Sequence, residues 1–306
     1  MGSVIRDVTD RRRARTSSRA VLAVGALSAG ALGWAGMAPA AAVSGGATPA
    51  APNVATTPDS VLVIGDSIVA QAQGQTRSWA PPGATVWVAG GSGSAPCDWN
   101  AGYRDPFTRT WFQFTQLIDH YHPGAVVLAF SGNPGLSGPR AGCMDGRTRY
   151  SLGSLLASYQ RALVAMARYA SARGVLVYLD ASPPRNPATP AGAYRGNGGS
   201  HEYGFNGVPQ LNQMYTAVAA SPEGRADRWS YDPAAATAVS DPALRWHLTE
   251  GCAAWDITAG NCGSGQQAQV RAGGYDAVHL DRAGAGATRY GMAVLRQPLS
   301  DEGYPA

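Results

Sequence analysis

Val61-Leu62-Val63-Ile64-Gly65-Asp66-Ser67 is the stretch from which the rest of the chain is read. Four apolar residues without polar alternation fit a strand buried on both faces, and a glycine closes the run. Comparable runs stand at 85–88, 125–130 and 175–179, with a weaker one at 228–231. Apolar residues at helical spacing fill the intervals at 107–121, 152–172 and 208–220, and a last such pattern covers 282–295. Strands alternating with helices imply right-handed crossovers and a parallel sheet covered on both sides. The predicted fold is therefore α/β, a three-layer α/β/α sandwich around a central parallel sheet of about five strands.

In such a sheet a ligand site lies beyond the carboxyl ends of the strands, where strand order reverses. The first three strands run directly into Gly65-Asp66-Ser67, Gly90-Gly91-Ser92-Gly93-Ser94 and Ser131-Gly132-Asn133-Pro134. These loops should converge on one edge. Ser67, after a buried strand and at the start of a helix, is a candidate nucleophile with backbone N–H groups beside it. The plainer alternative is that it only caps the helix.

A serine hydroxyl needs a base to take its proton. Among His120, His122, His201, His247 and His279, the last stands out. Asp276 precedes it by three residues in Tyr275-Asp276-Ala277-Val278-His279-Leu280, so a turn would bring the carboxylate to one ring nitrogen and leave the other for Ser67. His120 and His122 fall at the end of a predicted helix, where the dipole favours cations. His201 and His247 fall in loops near Glu202 and Trp246, where they could line a cleft. Acyl transfer also requires donors for a developing oxyanion. The 90–93 run can present a backbone N–H without an obstructing side chain. Asn133 offers a side-chain amide, and Pro134 biases its backbone toward an extended conformation. No Gly-Lys-Ser/Thr or dinucleotide fingerprint opens a helix, which argues against a nucleotide cradle.

Arg11, Arg12, Arg13, Arg15 and Arg19 precede an apolar run over 20–37, followed by Ala38, Ala40 and Ala42. That order reads as a signal peptide over 1–42, which makes the protein secreted: extracellular, or associated with the cell wall. A retained membrane anchor is the competing reading, and the arginine triplet also permits twin-arginine export. Residues 43–59 are Ala, Pro, Thr and Gly with almost no large apolar group and read as a disordered linker, leaving 60–306 as one domain. Of the 24 basic and 20 acidic residues, six arginines and two aspartates precede residue 43, so 18 of each remain. A neutral surface argues against nucleic acid as a partner.

Four cysteines in an exported protein favour two disulfides. Three pairings exist in principle. Cys252 and Cys262 are close enough in sequence to staple their own loop, which leaves Cys97 to Cys143. A four-cysteine zinc site would want short paired spacings that are absent.

Taken in order, Gly65-Asp66-Ser67, the glycine loop after the second strand, Gly132-Asn133 and Asp276-x-x-His279 resemble the four blocks of the SGNH (GDSL-like) hydrolase family. The resemblance covers nearly all of 60–306. It implies a flavodoxin-like sandwich, Ser67 as nucleophile and backbone oxyanion donor, Asn133 as side-chain donor, and His279 as base with Asp276 orienting it. Ser92-Gly93-Ser94 is similar to the family's Ser-Gly-x-Thr stretch and makes Gly93 the implied glycine donor, with Gly91 the alternative. Ala95-Pro96-Cys97-Asp98-Trp99 and Cys143-Met144 are similar to exported actinobacterial members with a cysteine in each of the second and third blocks. That similarity supports a Cys97 to Cys143 bridge between the loops that hold the donors. Pro134 departs from the family, which often has Asp there.

The implied activity is that of a carboxylic ester hydrolase, an esterase or lipase cleaving acyl or acetyl esters of lipids or carbohydrates through an acyl-enzyme. It needs neither metal nor organic cofactor. The expected partner is a small-molecule, lipid or glycan ester, met by a monomer. An O-acyltransferase of extracellular glycan and a catalytically silent binding module on the same fold are the alternatives. Trp79, Trp87, Trp99, Trp111, Trp229, Trp246 and Trp255 could include a substrate platform, although core positions are the commoner use. The Gly-, Pro- and Asn-rich segment 183–205 is long enough for a substrate lid, with a disordered insertion the equal alternative.

Overall fold

The computed structural model describes residues 56–133, 135, 143, 152–186, 208–272, 278–282 and 284–304. The expectations for the signal peptide 1–42, for the linker as far as residue 55, for Asp276, Pro134 and His201, and for most of 183–205 lie outside the described residues. In chain order the strands are β1 (Thr57–Gly65), β2 (Thr85–Gly90), β3 (Tyr103–Arg104), β4 (Trp111–Phe112), β5 (Pro123–Ala129), β6 (Leu176–Asp180), β7 (Ser230–Asp232), β8 (Thr249–Gly251) and β9 (Gln267–Gln269). The helices are α1 (Ser67–Ser78), α2 (Pro96–Ala101), α3 (Phe114–Tyr121), α4 (Leu152–Ser171), α5 (Val208–Ala219), α6 (Pro222–Ala226), α7 (Ala234–Thr237), α8 (Ala254–Thr258) and α9 (Ala285–Asp301).

Five strands form one parallel sheet in the order β2-β1-β5-β6-β7, with helices on both faces, as the alternation predicts. Ile64 lies opposite Ala89 on one side and Leu128 on the other, and Val61 to Ile64 are wholly buried. Side chains alternate across the pleat. Leu62 and Ile64 enter the core shared with Trp99 of α2, Phe114 of α3, Leu163 of α4 and Tyr215 of α5. Val61 and Val63 enter the opposite core with Val69 of α1, Ala235 of α7 and Val294 of α9. Each such side chain contributes roughly 1.5–3 kcal/mol by leaving water, so a strand apolar on both faces has a strong reason to be central.

Of the boundaries that differ from the sequence reading, three show what overrides the local pattern. The linker is expected to run to residue 59, but β1 begins at Thr57, whose N–H donates to His122 O at 2.6 Å. The helix expected over 107–121 begins only at Phe114. Ahead of it a β3–β4 hairpin forms, because Asp105 Oδ1 accepts from the N–H groups of Phe107 (2.9 Å) and Thr108 (2.7 Å) and turns the chain back. The last helix is expected to end at Leu295, yet α9 continues through Pro298 to Asp301. Its final turn is held by burial of Leu299 and by the Tyr178 hydroxyl, which donates to Asp301 Oδ2 at 2.7 Å.

From β1 the chain crosses to β2 on one side and then returns past β1 to β5 on the other, so strand order reverses and the crevice of the sheet opens at the carboxyl ends of β1 and β5. Gly90 closes β2 where α1 passes over it. A Cβ there would stand 2.2 Å from Ala70 N, so glycine is what lets helix and strand end approach. Both expected disulfides form: Cys97 to Cys143 ties α2 to the segment beyond β5, and Cys252 to Cys262 closes a short loop. All four cysteines are paired in these two bridges. Among the described residues no helix is long and apolar enough to cross a membrane.

Candidate active site

Ser67 is the first residue of α1, half-buried at the carboxyl end of β1. Asp66 before it is the N-cap: its Oδ1 accepts from Ile68 N at 3.0 Å, satisfying one of the donors a helix start leaves open. The N–H of Ser67 itself has no acceptor among the described residues. His279 brings Nε2 to 3.1 Å from Ser67 Oγ.

The backbone around His279 is pinned from several sides. Ala272 N donates to His279 O at 3.0 Å, and Leu280 N donates to Gln71 Oε1 of α1 at 3.0 Å, one turn beyond Ser67. Arg271, almost wholly buried, gives Nη2 to Val278 O and to Pro184 O. Helix α9, which follows, packs on α1 and fixes the same approach from the far side. Asp276, the expected orienting acid, lies outside the described residues.

The loop after β2 bends through Ser92 and Gly93. Ser94 N donates to Gly91 O at 3.1 Å, and Gly93 has φ of 74°, which together make a type II turn with a left-handed third residue. The N–H of Gly91 goes to Gly65 O (2.9 Å) and that of Ser92 to Asp105 Oδ2 (3.1 Å). Of the N–H groups from 91 to 94, only that of Gly93 has no acceptor among the described residues.

The loop after β5 is held by its carbonyls. Phe130 O accepts from the Tyr215 hydroxyl at 2.6 Å, Ser131 O from Arg185 Nη2 at 2.9 Å, and Asn133 O from the Tyr159 hydroxyl. Its donors turn the other way. Asp66 Oδ2 accepts from Ser131 N (2.7 Å), Ser131 Oγ (2.6 Å) and Asn133 Nδ2 (2.8 Å). Burial pushes the Asp66 carboxyl up from its ordinary value, against the pull of the bonds from Ser131 and Ile68 and of the Arg185 charge. One buried carboxylate thus joins the start of α1 to the loop bearing Asn133.

The structure brings Ser67 and His279 together and sets Gly93 and Asn133 on the neighbouring loops of the same edge. The other described histidines are engaged elsewhere: His122 ends α3 in the left-handed region, exposed His120 stacks edge-on against Tyr121, and His247 sits 3.6 Å from Asp241. Trp99 and Trp229 are core residues, whereas Trp79 and Trp111 are exposed. Asp105, Gln71, Arg185, Arg271 and Tyr159 are absent from the sequence reading, because each acts through a tertiary contact that no local pattern announces. Asp66 is present in the Gly-Asp-Ser triplet, but its bond to Asn133 is not legible there.

No family model matches the sequence, and no curated protein matches it. Among solved structures the chain is similar to a GDSL-like lipase from Bacteroides thetaiotaomicron, with 12% identity and a TM-score of 0.46 over 79% of this chain and 88% of that one. It is also similar to a carbohydrate acetylesterase from Sinorhizobium meliloti (18% identity, TM-score 0.44, 79% and 98% of the two chains). A third is an aryl esterase from M. smegmatis (13% identity, TM-score 0.47, 79% and 99%).

Proposed function

We propose that the chain is a secreted serine ester hydrolase that cleaves acyl or acetyl esters through an acyl-enzyme on Ser67. The observation that carries this is the 3.1 Å approach of His279 Nε2 to Ser67 Oγ beyond the carboxyl end of the sheet. A serine hydroxyl at hydrogen-bond distance from an imidazole has a base for its proton. In the proposed mechanism His279 takes that proton as Oγ attacks the ester carbonyl, then gives it to the departing alcohol. Water repeats the cycle on the acyl-enzyme, and Asp276 steadies the imidazolium through the other ring nitrogen.

The negative charge on the carbonyl oxygen needs fixed donors, and the N–H groups of Ser67 and Gly93 support that role because neither is spent on another acceptor among the described residues. Gly91 and Ser92 are already committed, which favours Gly93 over its neighbours. Asn133 would supply the third donor from a side chain oriented by Asp66. The two disulfides suit an oxidising exterior, where they persist. None of these steps calls on a metal or an organic cofactor.

The test is hydrolysis of p-nitrophenyl acetate, butyrate and a long-chain ester by the protein, alongside Ser67→Ala and His279→Ala. Both variants should lose about three orders of magnitude or more in kcat. A fluorophosphonate should label the parent but not Ser67→Ala. If the parent neither turns over an ester nor labels, the serine mechanism is wrong.

A further inference from the structure

Asp105 is wholly buried at the base of the β3–β4 hairpin, and its two carboxylate oxygens have separate tasks. Oδ1 accepts from Phe107 N, Thr108 N and Thr108 Oγ1 at 2.9, 2.7 and 3.2 Å, and so shapes the hairpin's own turn. Oδ2 reaches out of the hairpin to Ser92 N, 3.1 Å away and 13 residues earlier in the chain. That donor lies one residue before Gly93, in the turn whose remaining N–H groups at Gly91 and Ser94 are held by Gly65 O and Gly91 O.

In a turn of this kind the direction of the middle N–H depends on which way the Ser92–Gly93 peptide is flipped. Type I and type II turns differ by that flip. The left-handed φ of 74° at Gly93 marks the flipped state, and the bond from Ser92 N to Asp105 fixes the peptide plane on its amino side. A third point of attachment comes from Ser94 Oγ, which donates to Gly91 O at 2.7 Å and accepts from Trp99 Nε1 at 2.9 Å. With both flanking peptides anchored, the Gly93 N–H is left with one orientation.

We propose that Asp105 is a positioning residue for the reaction at Ser67, aiming the Gly93 N–H at the oxyanion through its bond to Ser92. The proposal rests on the assignment of Ser67 as nucleophile and Gly93 as donor made above. Its physical basis is that oxyanion stabilisation depends on donors fixed before charge develops, so a loose donor lowers kcat while leaving ester binding nearly intact.

The discriminating variant is Asp105→Asn. Asn keeps an acceptor oxygen for Phe107 and Thr108, and the hairpin turn with it, but sets an NH2 group against Ser92 N–H. Thr108→Ala is the converse control, trimming the hairpin turn while leaving the bond to Ser92. Both are compared with the parent by kcat and KM on p-nitrophenyl acetate, melting temperature, and inhibition by an alkyl boronic acid, which forms a tetrahedral adduct with an active serine. Asp105→Asn should lower kcat about tenfold or more, weaken the boronic acid by a similar factor, and leave KM within about twofold. Its melting temperature should fall by no more than the few degrees that one unpaired donor costs, and Thr108→Ala should retain the parent's kcat. Parental kcat in Asp105→Asn, or a loss shared with Thr108→Ala and matched by a lower melting temperature, overturns the proposal while Ser67 still labels with a fluorophosphonate. A parent that does not label overturns the serine assignment, and the role of Asp105 falls with it.

Discussion

Asp66 Oδ2 accepts a hydrogen bond from Asn133 Nδ2 at 2.8 Å, joining residues 67 positions apart in the chain. The same carboxylate caps α1 through its other oxygen, so the residue that starts the nucleophile's helix also orients the amide on the neighbouring loop. Asp66→Asn can preserve the cap, for which Asn serves as well as Asp, but it removes an acceptor facing three donors. The variant should lose about 10²–10³ in kcat with little change in KM, and about 1–3 kcal/mol of stability from donors left unpaired. Asn133→Ala should lose a similar factor, and the double variant should lose little more than either alone. Steady-state kinetics on the four proteins of that cycle checks it; fully multiplicative losses would show that Asp66 does not act through Asn133.

The bridge from Cys97 to Cys143 closes a loop with a sequence separation of 46. Replacing both cysteines by serine should cost about 3–4 kcal/mol, read as a lower denaturation midpoint. Because Cys97 lies on α2, directly after the glycine loop, and Cys143 follows the Asn133 loop, esterase activity should fall at denaturant concentrations that leave the sheet intact. Far-ultraviolet circular dichroism and activity, measured together across a denaturant series, will separate in the variant and coincide in the parent.

Gly90→Ala should lower stability by about 1–3 kcal/mol, since the added methyl would stand 2.2 Å from Ala70 N and 2.5 Å from Ala70 Cα, both backbone atoms of α1. Relief requires moving the helix that begins with Ser67, so kcat should drop as well. Denaturant melts and ester hydrolysis on the same preparation test both parts.

Asp180 ends β6 opposite Asp232 of β7, and Tyr290 donates to its Oδ2 at 2.8 Å. Its Oδ1 has no hydrogen-bond partner among the described residues. Burial, then the nearby Asp232 charge, raises its carboxyl well above the ordinary 3.8. An acid whose pKa is higher folded than unfolded contributes stability that is complete below the unfolded pKa and is lost as pH rises through the folded one. Asp180→Asn, which keeps an acceptor for Tyr290, should therefore raise the melting temperature at neutral and alkaline pH, with the gain shrinking toward about pH 4. Thermal melts across that range decide; a gain of equal size at every pH would rule out the carboxyl as its source.

These cases also mark what the amino-acid sequence reveals and what it conceals. The five-strand sheet is legible because Val61 to Ile64 and the runs like it are buried on both faces, which leaves an unbroken apolar signature. The hairpin at 103–112 is not, since Phe107 and Trp111 stand at helical spacing and only the side chain of Asp105 turns the chain back. The last helical pattern ends at Leu295, yet burial of Leu299 and the Tyr178 bond carry α9 on to Asp301. At the site, the Gly-Asp-Ser, Gly-Asn and Asp-x-x-His blocks are local and can be read. The carboxylates that join them, Asp66 to Asn133 and Asp105 to Ser92, depend on partners brought near only by folding.

Ser67 opens the first helix after β1, and His279 arrives 212 residues later. A ribosome delivers the amino-terminal end first, and domains acquire their long-range contacts only as the chain lengthens. On the proposed mechanism the serine therefore stays inert while the residues between the two are made, a hydroxyl with nothing to ionise it. Activity switches on only when the segment before α9 docks against α1, so a chain cut short anywhere in between is a harmless bystander. The distance along the chain between these two residues makes the onset of catalysis a report that the ribosome has passed His279.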